Sequence, residues 1–107
     1  MKRGTLLEYN VIRTEYADER IQDKLEYIKR SFRNEQAYQH LESEIVKVEE
    51  SLSKKAWQNR SYYDEEGEEY KYAYVAVGEG YYLLYQIEGN AVFVLDCLHK
   101  RELRDYI

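Results

Sequence analysis

The chain has 107 residues, 44% of them hydrophobic, and 16 Lys and Arg against 21 Asp and Glu give a formal net charge of −5. That length and apolar content suit a single domain with one core and exclude a disordered chain. The charge excludes a generally basic nucleic-acid binder, and no apolar window of about 18 residues is present to span a membrane. The acids are unevenly placed, with five in residues 64–69, and without those five of its 21 acids the chain balances its 16 Lys and Arg. Local basic patches are therefore compatible with the overall balance. Lys54, Lys55 and Arg60 form one, and Lys100, Arg101 and Arg104 form another. The acidic run itself reads as a solvated loop. A single cysteine, Cys97, excludes an internal disulfide and a cysteine-based zinc cluster, and its apolar neighbours make it a small buried hydrophobe. The first residues carry charge but not the apolar stretch of a signal peptide, so the cytoplasm is the expected compartment.

Leu6 to Arg13 alternates, with Leu7, Tyr9 and Val11 on one side, and predicts a strand. Thr14 is a candidate N-cap, and Glu15, Asp18 and Glu19 favour the positive end of a helix dipole. Ala17, Ile21, Leu25, Ile28 and Phe32 then recur at helical spacing. Asn34 can cap a second helix, whose stripe is Ala37, Leu41, Ile45, Val48 and Leu52 and which reaches Ala56. Two amphipathic helices with a short joint predict an antiparallel hairpin.

The character changes after the helices. Eight of the 13 tyrosines lie between Tyr62 and Tyr85. Tyr70, Tyr72 and Tyr74 alternate at strand spacing, and Gly78-Glu79-Gly80 is a tight connection. Tyr81 to Glu88 is the next strand, Gly89-Asn90 a hairpin turn, and Ala91 to Leu98 the last strand. The tyrosines either fill a sheet face or offer a stacking platform to a nucleobase or a protein partner. The order is strand, helix, helix, then a three-stranded antiparallel meander. It predicts an α+β domain over 1–107: a mixed sheet with the helix hairpin on one face. The first strand is expected beside the last, where the meander leaves an open edge.

Four stretches in this order resemble the RelE/ParE superfamily of toxins from type II toxin–antitoxin modules. Tyr9-Asn10-Val11-Ile12-Arg13-Thr14 with Ala17 resembles its opening strand and first helix. Leu25-Glu26-Tyr27-Ile28 and Asn34-Glu35-Gln36-Ala37 resemble its helix joint, and Ile45 to Ser51-Leu52 its second helix. Gly80 to Ile87, Val92-Phe93-Val94-Leu95 and Leu98-His99-Lys100-Arg101 resemble its closing hairpin. The resemblance implies a toxin neutralised by a cognate antitoxin protein. RelE-like members cut mRNA in the ribosomal A site, and ParE-like members poison DNA gyrase. Two positions depart from the pattern: Lys71 stands where the family often has Arg, and Asp96 where it often has a basic residue.

RNA cleavage through attack by the 2′-hydroxyl needs a base, an acid for the leaving 5′ oxygen, and a cation for the charged phosphorane. The candidate catalytic set is His99 as acid or base, Arg101 and Lys71 as phosphate holders, and Tyr106 as a stacking or proton-donating group. Lys54, Lys55, Arg60, Lys100 and Arg104 are candidate RNA contacts, with Trp57 among the first three. The expected arrangement has His99 and Arg101 on the rim of one concave sheet face, with Lys71 across it. His40, mid-helix, gives no metal-binding spacing with His99, and no Gly-rich phosphate loop occurs, so no cofactor is expected. The leading expectation is ribosome-dependent mRNA cleavage. Gyrase inhibition and a non-toxic interaction module are the alternatives.

Overall fold

The computed structural model describes residues 8–32, 35–77 and 80–106. The expected starts at Leu6 and Leu7, the Asn34 cap, Gly78-Glu79 and the Phe32 side chain lie outside the described residues. Strand β1 (Asn10–Arg13) leads into helix α1 (Glu15–Phe32), helix α2 (Glu35–Lys55) and a 3₁₀ turn (Ala56–Gln58). Strands β2 (Arg60–Tyr63), β3 (Glu69–Val75), β4 (Tyr81–Glu88) and β5 (Ala91–His99) follow, and a short helix α3 (Lys100–Leu103) ends the fold. The molecule is α+β, with one mixed five-stranded sheet in the order β1-β5-β4-β3-β2. β1 runs parallel to β5 and every other pairing is antiparallel.

Thr14 caps α1 as its chemistry predicts. Its Oγ1 accepts the Ala17 N–H at 3.1 Å and donates to the Val94 carbonyl at 2.9 Å, tying the helix start to β5. The stripe of α1 is buried at Ala17, Ile21, Leu25 and Ile28, and that of α2 at Leu41, Ile45 and Leu52. Both pack on Ala73, Val75, Leu83, Tyr85, Val92, Val94 and Cys97 of the sheet. Tyr85 is fully buried here, but its hydroxyl is satisfied: it donates to the Ala56 carbonyl and accepts from Asn59 Nδ2 at 3.0 Å. That pair locks the end of α2 onto β4.

Two features differ from the sequence expectation. The meander has four antiparallel strands, because Arg60–Tyr63 adds β2 beside β3, with Tyr62 opposite Tyr70. The acidic run is the turn of that hairpin: Asp64 Oδ1 accepts the N–H groups of Glu66 and Glu68, and Gly67 takes a φ of +84°. The second difference is a bulge in β5. Tyr85 pairs with Val94 but Leu84 with Asp96, so Leu95 is extra. The bulge shifts the alternation, so Val94 and Cys97 both face the helices while Asp96 and Leu98 turn to the other side of the sheet.

That other side has its own smaller cluster. Leu84 and Leu98 are buried there beneath Leu103 of α3, ringed by Tyr62, Tyr70, Tyr72, Tyr82 and Leu95. α3 lies on the sheet face opposite the helix hairpin, a helix that the sequence reading of His99, Arg101 and the neighbouring cations did not include.

Candidate active site

His99 closes β5 opposite Tyr81 and is also the N-cap of α3. Its Nδ1 accepts the Arg101 N–H at 3.3 Å, and its own N–H donates to Glu102 Oε1 at 2.8 Å. This is a reciprocal capping box with His in place of the usual Ser or Thr. An Nδ1 that accepts carries no proton, so the neutral ring has its proton on Nε2. The ring stands edge-on to Tyr81, with centroids 5.4 Å apart.

Glu102 is gripped from α1. Lys24 Nζ bonds its Oε1 and Arg20 Nη2 bonds its Oε2. Burial alone would raise this carboxyl, but the bonds from Lys24, the His99 N–H and Arg20 overcome it and hold it at about 2. Arg20 also reaches Asp96, its Nε lying 2.8 Å from Oδ1. β1 ends opposite Val94, so along residues 95–99 the edge of β5 is open to these long side chains. Asp96 is only 3% exposed, and it accepts the Cys97 N–H at 2.8 Å as well. The Arg20 guanidinium is raised above its ordinary value, chiefly by Asp96 and then by Glu102. The acid that departs from the family pattern is thus an internal ion-pair partner. Its charge is spent on Arg20.

Tyr106 packs near the same residues. Its hydroxyl lies 3.4 Å from Asp96 Oδ2, a weak contact, and its ring meets Tyr62 edge-on at 6.2 Å. Burial, then Asp96, raise its hydroxyl above the ordinary tyrosine value. Lys100, Arg101 and Arg104 are exposed around α3, and none of them forms an ion pair among the described residues. His99, Arg101 and Tyr106 are therefore brought to one end of the sheet.

Lys71 is not. It alternates with Ala73 and Val75, so it points to the helix-covered side. Its Nζ donates to the Asn59 carbonyl at 2.9 Å and to Ser61 Oγ at 2.8 Å, with Glu69 at 3.6 Å. By register it sits opposite Tyr85 while His99 sits opposite Tyr81. Four residues along and two strands across puts their backbones about 16 Å apart. The expected concave face with Lys71 across from His99 is not formed, because the helices fill the side those two residues share. Lys71 instead borders a cavity of about 190 Å³ lined by Glu68, Glu69, Gln86, Ile87 and Glu88. Three carboxylates there repel a phosphate.

The remaining cations are dispersed. Lys54 and Lys55 are exposed at the end of α2, beside Trp57 at 60% exposure. Arg60 belongs to β2, exposed on the α3 side of the sheet opposite Tyr72. There it joins the tyrosine face. Tyr62 stacks on Tyr70 at 5.2 Å, and Tyr82 meets Tyr72 at 5.9 Å and Tyr74 at 5.4 Å. Burial, with Tyr106 and Tyr70 next to it, pushes the Tyr62 hydroxyl up to about 12. Most of these tyrosines are half-buried and fill the sheet face, while Tyr63 is 64% and Tyr74 53% exposed.

Cys97 is buried, and burial pushes its thiol up to about 12, which makes it inert as a nucleophile. Among the described residues no group of three or more His, Cys, Asp or Glu is placed to hold a metal ion, and no helix is long and apolar enough to cross a membrane. Sequence reasoning missed Arg20, Lys24 and Glu102. The signal was present as His99-x-x-Glu102, a capping box disguised by its histidine. No protein-family model matches the chain, and no curated protein matches its sequence.

Proposed function

We propose that the chain is the toxin of a type II toxin–antitoxin module of the RelE/ParE superfamily, acting by ribosome-dependent mRNA cleavage. The observation that carries the reading is the end of β5: a histidine whose Nδ1 accepts the Arg101 N–H, adjoining three exposed cations without ion partners among the described residues, next to a half-open tyrosine face. The cations attract phosphate, Arg101 by its bidentate fork. The tyrosines offer unstacked bases a surface. In its capped tautomer His99 Nε2 donates, which suits holding a phosphate oxygen. To act as general acid it must first be doubly protonated, and it then gives up the Arg101 N–H bond. Tyr106, beside Asp96, and Tyr81, edge-on to the His99 ring, are the phenols at this end of the sheet. The order of elements, a helix hairpin on one sheet face with the first strand parallel to the last, agrees with the resemblance seen in the sequence.

The partner in this reading is a cognate antitoxin, and the cytoplasm is the site of action. A second reading, inhibition of DNA gyrase by protein contact, is favoured by two observations. Lys71 is neutralised and remote from His99, and the net charge is −5. Growth separates a toxin from a non-toxic module that kept the fold. Induced alone, the chain arrests cells, and co-expression of a short neighbouring reading frame restores growth. Normal growth at confirmed soluble expression removes the toxin reading.

A further inference from the structure

We propose that Glu102 is a positioning residue for His99. Held by Arg20 and Lys24 of α1, it fixes the head of α3 so that His99 Nδ1 accepts the Arg101 N–H and Nε2 keeps the ring proton, as a donor for a phosphate oxygen of RNA. The inference rests on the reading of His99 as an acting group, and it adds three residues that no family pattern supplied.

α3 spans only Lys100–Leu103, too short to hold itself in water. Its hold comes from Leu103, 6% exposed over Leu84 and Leu98, and from the capping box. Glu102 has both oxygens engaged: Oε1 by Lys24 and the His99 N–H, Oε2 by Arg20. Arg20 is in turn fixed by Asp96, which is buried at the β5 bulge. A continuous set of charge-assisted bonds therefore runs from the sheet through Arg20 and Glu102 to the His99 backbone. Tyr81 bounds the ring on one side and the Arg101 N–H takes its Nδ1. Nε2 makes no hydrogen bond among the described residues. The second histidine, His40, is exposed on α2 and serves as an internal reference for a solvated ring.

The test uses the full chain with nitrogen-15 histidine at mildly alkaline pH. Long-range proton–nitrogen correlation reads each ring nitrogen. The expected result is a single tautomer for His99 with a bare Nδ1, against an averaged mixture for His40. In Glu102→Ala the His99 nitrogens move to the His40 values while the protein still melts cooperatively. Glu102→Gln keeps an oxygen for the His99 N–H and keeps the His99 signature. If the alanine variant fails to fold, the wild-type and glutamine spectra decide. A wild-type His99 that matches His40, a His99 unchanged by Glu102→Ala, or a folded Glu102→Gln without the signature overturns the proposal. In the ribosome cleavage assay Glu102→Ala lowers kcat more than tenfold with a smaller change in KM. An ordered His99 in a wild type that cuts nothing overturns the functional reading and leaves the positioning standing.

Discussion

A histidine that caps a helix does two jobs, and substitution separates them. His99→Ala removes the Arg101 N–H acceptor, which costs about 1 kcal/mol, as other N-cap losses do. It also removes the ring, and if His99 transfers or donates a proton, cleavage falls by roughly 10²–10⁴-fold. Thermal melting and ribosome cleavage on the same preparation check both; a collapsed fold, or growth arrest left intact, makes the histidine structural only. Arg101→Ala leaves the melting curve in place, because the side chain is exposed and makes no ion pair among the described residues, and it lowers cleavage. Among the described glycines, Gly80 is the one that tolerates a side chain least. Its φ is +107°, and a Cβ there would lie 2.8 Å from Tyr74 Cε1. Gly80→Ala is expected to lower Tm through both strain and contact, and Tyr74→Ala in the same chain relieves only the contact. Tyr85→Phe leaves the Ala56 carbonyl and the Asn59 amide without their shared hydroxyl, for a loss of about 1–3 kcal/mol by denaturant titration.

At the scale of elements, the link from α1 to the end of β5 is the one to break. Arg20→Met leaves Asp96 buried without its cation, which costs roughly 3 kcal/mol, the lower end for such pairs because Arg20 is partly exposed. Adding Asp96→Asn restores most of that loss, and the double-mutant cycle reads the coupling directly. Equal melting of Arg20→Met and wild type would contradict the account of this link. The helices were legible because Ala17-Ile21-Leu25-Ile28 and Leu41-Ile45-Leu52 keep the helical period over many turns. β4 and β5 were legible from Gly89-Asn90 and its flanking alternation. β2 was not, since Arg60-Ser61-Tyr62-Tyr63 is four residues at a sheet edge and half polar. The bulge was hidden because an apolar run shows no break in alternation when one residue is inserted. α3 was hidden because its cap is histidine and its length is one turn. Of the candidate site, His99, Arg101 and Tyr106 came from the sequence; the hold of α1 on Glu102 did not, because Arg20 and Lys24 lie about 80 residues away from it and no local period marks them.

For the whole molecule, charge sets the range of pH in which this arrangement persists. Glu102 is held at about 2 against an ordinary 4.5, so the folded state favours its charged form. That contribution is complete above the ordinary value and disappears as pH falls toward 2. On the alkaline side Cys97 and Tyr85 are both pushed up to about 12, so the folded state favours their neutral forms. Their contribution is complete below their ordinary values of 9.0 and 10.0 and is lost as pH climbs toward 12. Melting followed against pH is expected to show a plateau with two falling limbs, and Glu102→Gln is expected to flatten the acid limb. The same distribution of charge bears on the target. The acids gather in the β2–β3 turn and around Lys71, while Lys100, Arg101 and Arg104 lie exposed around α3, so under the nuclease reading RNA is expected to approach from the α3 end. The most direct measurement mixes purified protein with ribosomes programmed with a defined mRNA, with a gyrase supercoiling reaction run in parallel. The account predicts cuts in the A-site codon and unchanged supercoiling. Intact mRNA with supercoiling lost would contradict it.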